Sequence, residues 1–141
     1  MYLLETNVVS ESRRRQPDPK VMAWLAAAED EHLYLSVLTL GELRKGETLR
    51  RRRDPTGAEL LREWVDGLEA QYADRVLPLT TGIARLWGEL SASRPRPVVD
   101  TLILATGLCH GLTIVTRNIP DMTGAGAVLL IIRKACDRCI P

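Results

Sequence analysis

The chain contains no phenylalanine, and aromatic residues make up only 4% of it. Its core must therefore rest on Leu, Val, Ile and Ala, with three Trp as the large fillers. No apolar run approaches the roughly 18 residues that a membrane-spanning helix needs. The first residues lack a basic segment ahead of a long apolar stretch, so no secretion signal is expected and a cytoplasmic location is the default. Neither GxGxxG nor GxxxxGKS/T occurs, so a nucleotide-phosphate cradle is not indicated. Lysine is scarce as well. Among 19 cationic side chains only Lys20, Lys45 and Lys134 are lysines, and the rest are arginines.

Cysteine is nearly absent, with three residues at Cys109, Cys136 and Cys139. An odd count argues against a disulfide framework. Cys136 and Cys139 have CxxC spacing, but a zinc site wants two further ligands. Cys109 and His110 are poor candidates, because adjacent helix residues point about 100° apart. The segment 133–141 is therefore an atypical tail without an assigned role, and residues 1–132 are expected to form one domain. At 141 residues the chain is long enough to bury a substantial core.

Net charge is +1, which by itself predicts no polyanionic partner. The distribution says more. Arginines cluster as Arg13-Arg14-Arg15 and Arg50-Arg51-Arg52-Arg53, and Arg94 and Arg96 flank a proline. Arginine forks match phosphate geometry. The same clusters also fit solvated helix ends, where cations complement the dipole.

Apolar runs alternate with helical periodicity. Strands are expected at 1–4, 33–37, 76–79, 112–116 and 128–132. Helices are expected at 8–14, 21–28, 40–53, 58–73, 83–90 and 99–108. This alternation predicts an α/β fold, a three-layer α/β/α sandwich around a mostly parallel five-stranded sheet. Ligands of such sheets bind beyond the carboxyl ends of the strands.

Four acids stand at such ends or at helix starts: Glu5, Glu42, Asp100 and Asp121. Each has an ordinary structural explanation. Glu5 could pair with an arginine. Thr39 and Glu42 fit a capping box. Asp100 gains from a helix dipole, and Asp121 could cap a turn. Four acids along one sheet edge, however, would repel one another unless a cation sits among them. An all-oxygen donor set favours a hard ion, Mg²⁺ or Mn²⁺.

The segments MYLLETNVVSE, SVLTLGELRKG and PVVDTLILATGLCHGLTIVTRN, followed by IPDM, resemble the signature segments of PIN-domain ribonucleases. The resemblance is to the VapC-type toxins, including the FitB-like branch, and runs from Met1 to about Leu130. It implies Mg²⁺- or Mn²⁺-dependent endonucleolytic cleavage of RNA, a cognate antitoxin that blocks the site, and a homodimer. In that pattern the catalytic and metal-holding acids are Glu5, Glu42, Asp100 and Asp121. Thr6, Asn7, Thr116 and Asn118 are the supporting polar residues. Arg13, Arg14, Arg15, Arg51, Arg52 and Arg53 are candidate RNA contacts. The chain departs from the family at Glu5, where the family has Asp. A weakened nuclease is one expectation from that change; the alternative is an impaired module that binds antitoxin or RNA without cutting. A DNA- or flap-directed nuclease would share the same acids. A phosphatase fits less well, because Glu5-Thr6-Asn7 is not the DxD that its nucleophile usually needs.

Overall fold

Residues 1–132 are described by a computed structural model. The expectations for the tail, including Cys136 and Cys139, lie outside those residues. The chain begins with β1 (Tyr2–Leu4), α1 (Thr6–Val9), a 3-10 turn (Ser10–Arg13) and α2 (Pro19–Ala27). A second 3-10 turn (Asp30–His32) leads into β2 (Leu33–Ser36), α3 (Val37–Arg51) and α4 (Pro55–Gln71). Then follow β3 (Val76–Leu77), α5 (Thr81–Ser93), α6 (Val98–His110), β4 (Thr113–Thr116), α7 (Ile119–Met122) and β5 (Leu129–Ile131).

The five strands form one sheet in the order β3-β2-β1-β4-β5, and every pairing is parallel. Successive strand residues point to opposite faces. Leu4, Leu33, Leu35 and Val115 accordingly pack on one face with Val8, Val21, Leu43 and Val65 of α1–α4. Leu3 and Ile114 pack on the other with Ile103 and Leu104 of α6, Met122 of α7 and Leu90 of α5. The sheet is thus covered on both sides, which is why its strands read as unbroken apolar runs rather than alternating ones.

The sandwich expected from the sequence is present, with shifted element ends. The first helix is expected as one element over 8–14 but stops as α1 at Val9 and continues as a 3-10 turn. α3 begins at Val37 rather than at residue 40, because the Ser36 hydroxyl accepts the Leu38 amide and caps the helix three residues earlier. Thr39 is therefore not an N-cap, and the capping box with Glu42 does not form. α6 runs to His110 and ends on Gly111, whose φ of 63° is the left-handed conformation glycine adopts without penalty.

α6 lies close on β4. A Cβ at Gly107 would stand 2.6 Å from Ile114 Cγ1, and Ile114 is fully buried. Gly107→Ala gains up to about 1 kcal/mol of helix propensity. The overpacking costs about 1–3 kcal/mol and wins, because Ile114 has nowhere to move. The expected result is a net loss of about 1 kcal/mol, read from the urea midpoint.

Candidate metal centre

The strand order reverses direction at β1. From there the chain steps to β2 and β3 on one side and later to β4 and β5 on the other. A crevice at the carboxyl ends of β1 and β4 follows from that switch point. Register places Leu4 beside Val115, so the next residues, Glu5 and Thr116, are neighbours across the crevice. The Glu5 amide donates to the Val115 carbonyl at 3.1 Å.

Glu5 is buried, with 3% of its surface exposed. The Thr116 hydroxyl donates to Glu5 Oε2 at 2.7 Å, and Asn7 Nδ2 donates to Glu5 Oε1 at 3.2 Å. Thr116 Oγ1 also accepts the Asn118 amide at 2.9 Å, which fixes the turn that aims the Asn118 side chain. Asn118 Nδ2 donates to Asp121 Oδ2 at 2.9 Å and reaches Asp100 Oδ2 at 3.5 Å. On the other side, Thr6 Oγ1 donates to Glu42 Oε1 at 2.6 Å and lies 3.3 Å from Thr39 Oγ1. All four acids and all four supporting residues named from the sequence are thereby joined at one sheet edge.

Burial pushes the Glu5 carboxyl above its usual pKa, and the negative charges of Asp100 and Glu42 add to the shift. The Thr116 hydroxyl bond opposes it. Asp100 is raised by burial first, then by Asp121 and Glu42. None of the four acids forms a salt bridge among the described residues, despite the abundance of arginine. No three of them bring an oxygen each within 4.8 Å of one another, the spacing expected of anions that repel. The donor set contains oxygen only and carries up to four negative charges. That chemistry fits a hard divalent cation and does not fit a soft one.

Several positioning residues escape a reading of the sequence. Arg117 Nη1 donates to Glu11 Oε2 at 2.6 Å, and Nη2 donates to Asp18 Oδ2 at 3.3 Å. Glu11 Oε1 in turn accepts the Asp18 amide at 2.8 Å. Arg117 sits between Thr116 and Asn118, so this buried link anchors the turn that holds Glu5, Asp100 and Asp121. Arg94 Nη2 donates to the Pro120 carbonyl at 2.6 Å and Arg96 Nη2 to that of Thr123 at 3.2 Å. These two clamp the segment carrying Asp121. The flanking prolines were a visible signal, but the partners lie 26 and 27 residues away in sequence.

The arginine runs separate. Arg13 lies over the Trp64 ring at 5.6 Å, Arg14 pairs with Glu11 at 3.3 Å, and Arg15 is exposed. Arg51 sits nine residues beyond Glu42 on α3, about 14 Å along the axis at 1.5 Å per residue. It pairs with Glu47 and Glu59, and Arg50 with Asp54. Arg52 and Arg53 are exposed at that far end. Of the first run the fold brings Arg14 beside Asn7 and Asn118 of the acid cluster, and it leaves the second run at a distance.

The PIN domain model matches residues 2–119. The toxin FitB of Neisseria gonorrhoeae is 34% identical over 125 residues, covering 84% of this chain and 88% of that protein. A VapC ribonuclease, Y4jK of Sinorhizobium fredii, is 34% identical over 134 residues, covering 89% and 93%. The crystal structure of FitAcB from N. gonorrhoeae superposes with a TM-score of 0.84 at 31% identity, over 92% of this chain and 96% of that one.

Proposed function

The chain belongs to the PIN-domain family, and from that membership we propose that it is a divalent-metal-dependent endoribonuclease, the toxin of a type II toxin–antitoxin pair. One observation carries the reading. Glu5, Glu42, Asp100 and Asp121 meet at the switch point of a parallel sheet, held by hydroxyl and amide bonds, with no arginine or lysine among the described residues paired to any of them. The names of two relatives, a toxin and a VapC ribonuclease, support it.

In this reading the four carboxylates hold Mg²⁺ or Mn²⁺. When bound, such an ion supplies an acidified water and neutralises charge at the phosphate. The protein's part is positioning. Thr116 and Asn7 fix the Glu5 carboxyl, Thr6 fixes Glu42, and Asn118 sets Asp121 against Asp100. The products carry 5′-phosphate and 3′-hydroxyl ends. Few aromatics are at hand to stack bases, so selection rests on the shape of the RNA more than on base stacking.

The antitoxin, a homodimer and a cytoplasmic location belong to the same proposal. A groove of about 520 Å³ lined by Val37, Leu38, Leu49 and Val99 opens at Glu42. Val37 and Leu49 are 41% and 47% exposed, an apolar surface beside the acids suited to a protein partner. A partner's arginine or lysine placed among the acids would neutralise them and compete with the metal.

A second reading rests on Glu5. Both of its oxygens are already engaged, by Thr116 and Asn7, and the side chain is one methylene longer than the family's Asp. An impaired module that binds antitoxin or RNA without cutting would look the same. A mixed RNA pool with Mg²⁺ or Mn²⁺ separates the two. Cleavage is expected, lost on chelation and lost in Asp100→Asn. That variant should also melt higher than the unmodified protein in chelator, since it removes one of the repelling, partly buried charges, and should lose the rise in Tm that Mg²⁺ gives by mass action. Metal-dependent stabilisation without cleavage, in this chain and in Glu5→Asp alike, would favour the binding module.

A further inference from the structure

A cleft of about 400 Å³ adjoins the acid cluster on the side of β5. Among the described residues its polar lining is Arg14, Arg117, Asn7 and Asn118, with no carboxylate. Asn7 and Asn118 are the residues whose amides hold Glu5 and the Asp100–Asp121 pair, so the cleft and the acids share a wall. We propose that this cleft is a phosphate subsite, holding an RNA backbone phosphate that flanks the scissile bond. The proposal rests on the nuclease reading and adds to it where the strand lies.

Charge arrangement carries the inference. Glu11 and Asp18 balance the two arginines, but they are 1% and 9% exposed and lie behind the guanidiniums. A guanidinium has five N–H donors. Arg117 spends two on Glu11 and Asp18, whereas Arg14, half exposed, approaches Glu11 through Nε at 3.3 Å, so among the described residues its amino groups remain available for another acceptor. Glu11 and Asp18 thus hold the Arg117 fork, and the cleft is lined by that fork, by Arg14 and by the two Asn amides. For Arg117 that is the preorganised form of anion recognition, in which little ordering remains to be done on binding. It also answers an electrostatic need. A polyanion approaching four acids is repelled, and guanidinium N–H groups at the cleft, whose balancing carboxylates do not line it, give one phosphate a local place to dock. Ile119, Ile131 and Ile132 complete the wall and offer an apolar face to the attached sugar or base.

The test is binding of a fluorescent 12-nucleotide single-stranded RNA, titrated with Ca²⁺ present at several salt concentrations. Arg14→Gln should weaken binding on the order of tenfold, as loss of a hydrogen bond to a charged group does. It should also lower the slope of log K against log salt by about 0.7, the value for one phosphate contact on a single strand. Arg14→Lys should keep the slope, because the charge remains. Arg62→Gln, the same charge change on α4, should alter neither quantity. An unchanged slope in Arg14→Gln, or an equal loss in Arg62→Gln, would overturn the subsite while leaving the nuclease reading intact. A slope lost in Arg14→Lys would also overturn it, by showing that the residue acts only through Glu11. Failure of the unmodified protein to bind the RNA at all would remove both.

Discussion

Shortening Glu5 to Asp should raise the rate of metal-dependent RNA cleavage by about 100-fold, the scale of effect that a misplacement of about 1 Å has on a positioned catalytic group. The family resemblance places Asp at this position, and Mg²⁺ demands near-ideal geometry at short metal–oxygen distances. In the fold Glu5 is clamped. Its backbone amide is tied to Val115, its Oε2 to Thr116 and its Oε1 to Asn7, so it cannot swing to absorb the extra methylene. Glu5→Asp withdraws the carboxylate toward β1. The change has a structural cost, because removing a buried methylene loses about 0.8 kcal/mol of burial and leaves a small void. The variant should therefore be faster and slightly less stable. The check is kcat/KM on one RNA for both proteins, beside their urea midpoints. Equal turnover would show that the methylene is tolerated and that Glu5 holds the ion as it stands.

Arg117→Met should destabilise the protein by about 3 kcal/mol, at the low end of the range for breaking a buried ion pair. Glu11 is 1% exposed and Asp18 is 9% exposed, so removing the guanidinium leaves two buried carboxylates short of a partner. The effect stays at the low end because Glu11 keeps Arg14 and the Asp18 amide. The cost lies in the orphaned charge and not in the lost contact. Removing Glu11 as well, in Arg117→Met/Glu11→Leu, should restore part of the stability, since one of the two orphaned carboxylates is gone while Asp18 stays without the guanidinium. Urea unfolding of the two singles and the double forms the cycle. A loss under 1 kcal/mol in the single variant, or no recovery in the double, would mean that the link does not anchor the turn.

Much of the architecture was legible because the sheet is parallel and buried on both faces. Each strand had to be a short continuous apolar run, and each crossover had to be helical. Leu3 and Leu4, or Ile114 and Val115, could be placed on opposite faces by alternation alone. The ends of elements were less legible, because they depend on single hydrogen bonds. Ser36 capping α3 is one such bond, and the passage of α1 into a 3-10 turn at Ser10 is another. A serine before Val37 was visible, but Thr39 with Glu42 offered an equally plausible start, and nothing local distinguishes the two.

The sequence by itself determined the fold class, the identity of the four acids and the polar residues beside them, because strand ends and residue types are local properties. Only the tertiary structure decided what those residues do to one another. Thr116 meets Glu5 across 111 positions and Glu42 meets Thr6 across 36. The parallel register of β1 with β4 sets the first pairing, and the packing of α3 sets the second. The same holds for arginine. From composition the two runs are alike, yet the fold ties Arg51 to Glu47 and Glu59 far from the acids and sets Arg14 and Arg117 beside them. Charge partners are chosen by proximity in space, and in a sheet whose middle strand comes first in the chain, proximity is fixed by pairings that span nearly its whole length.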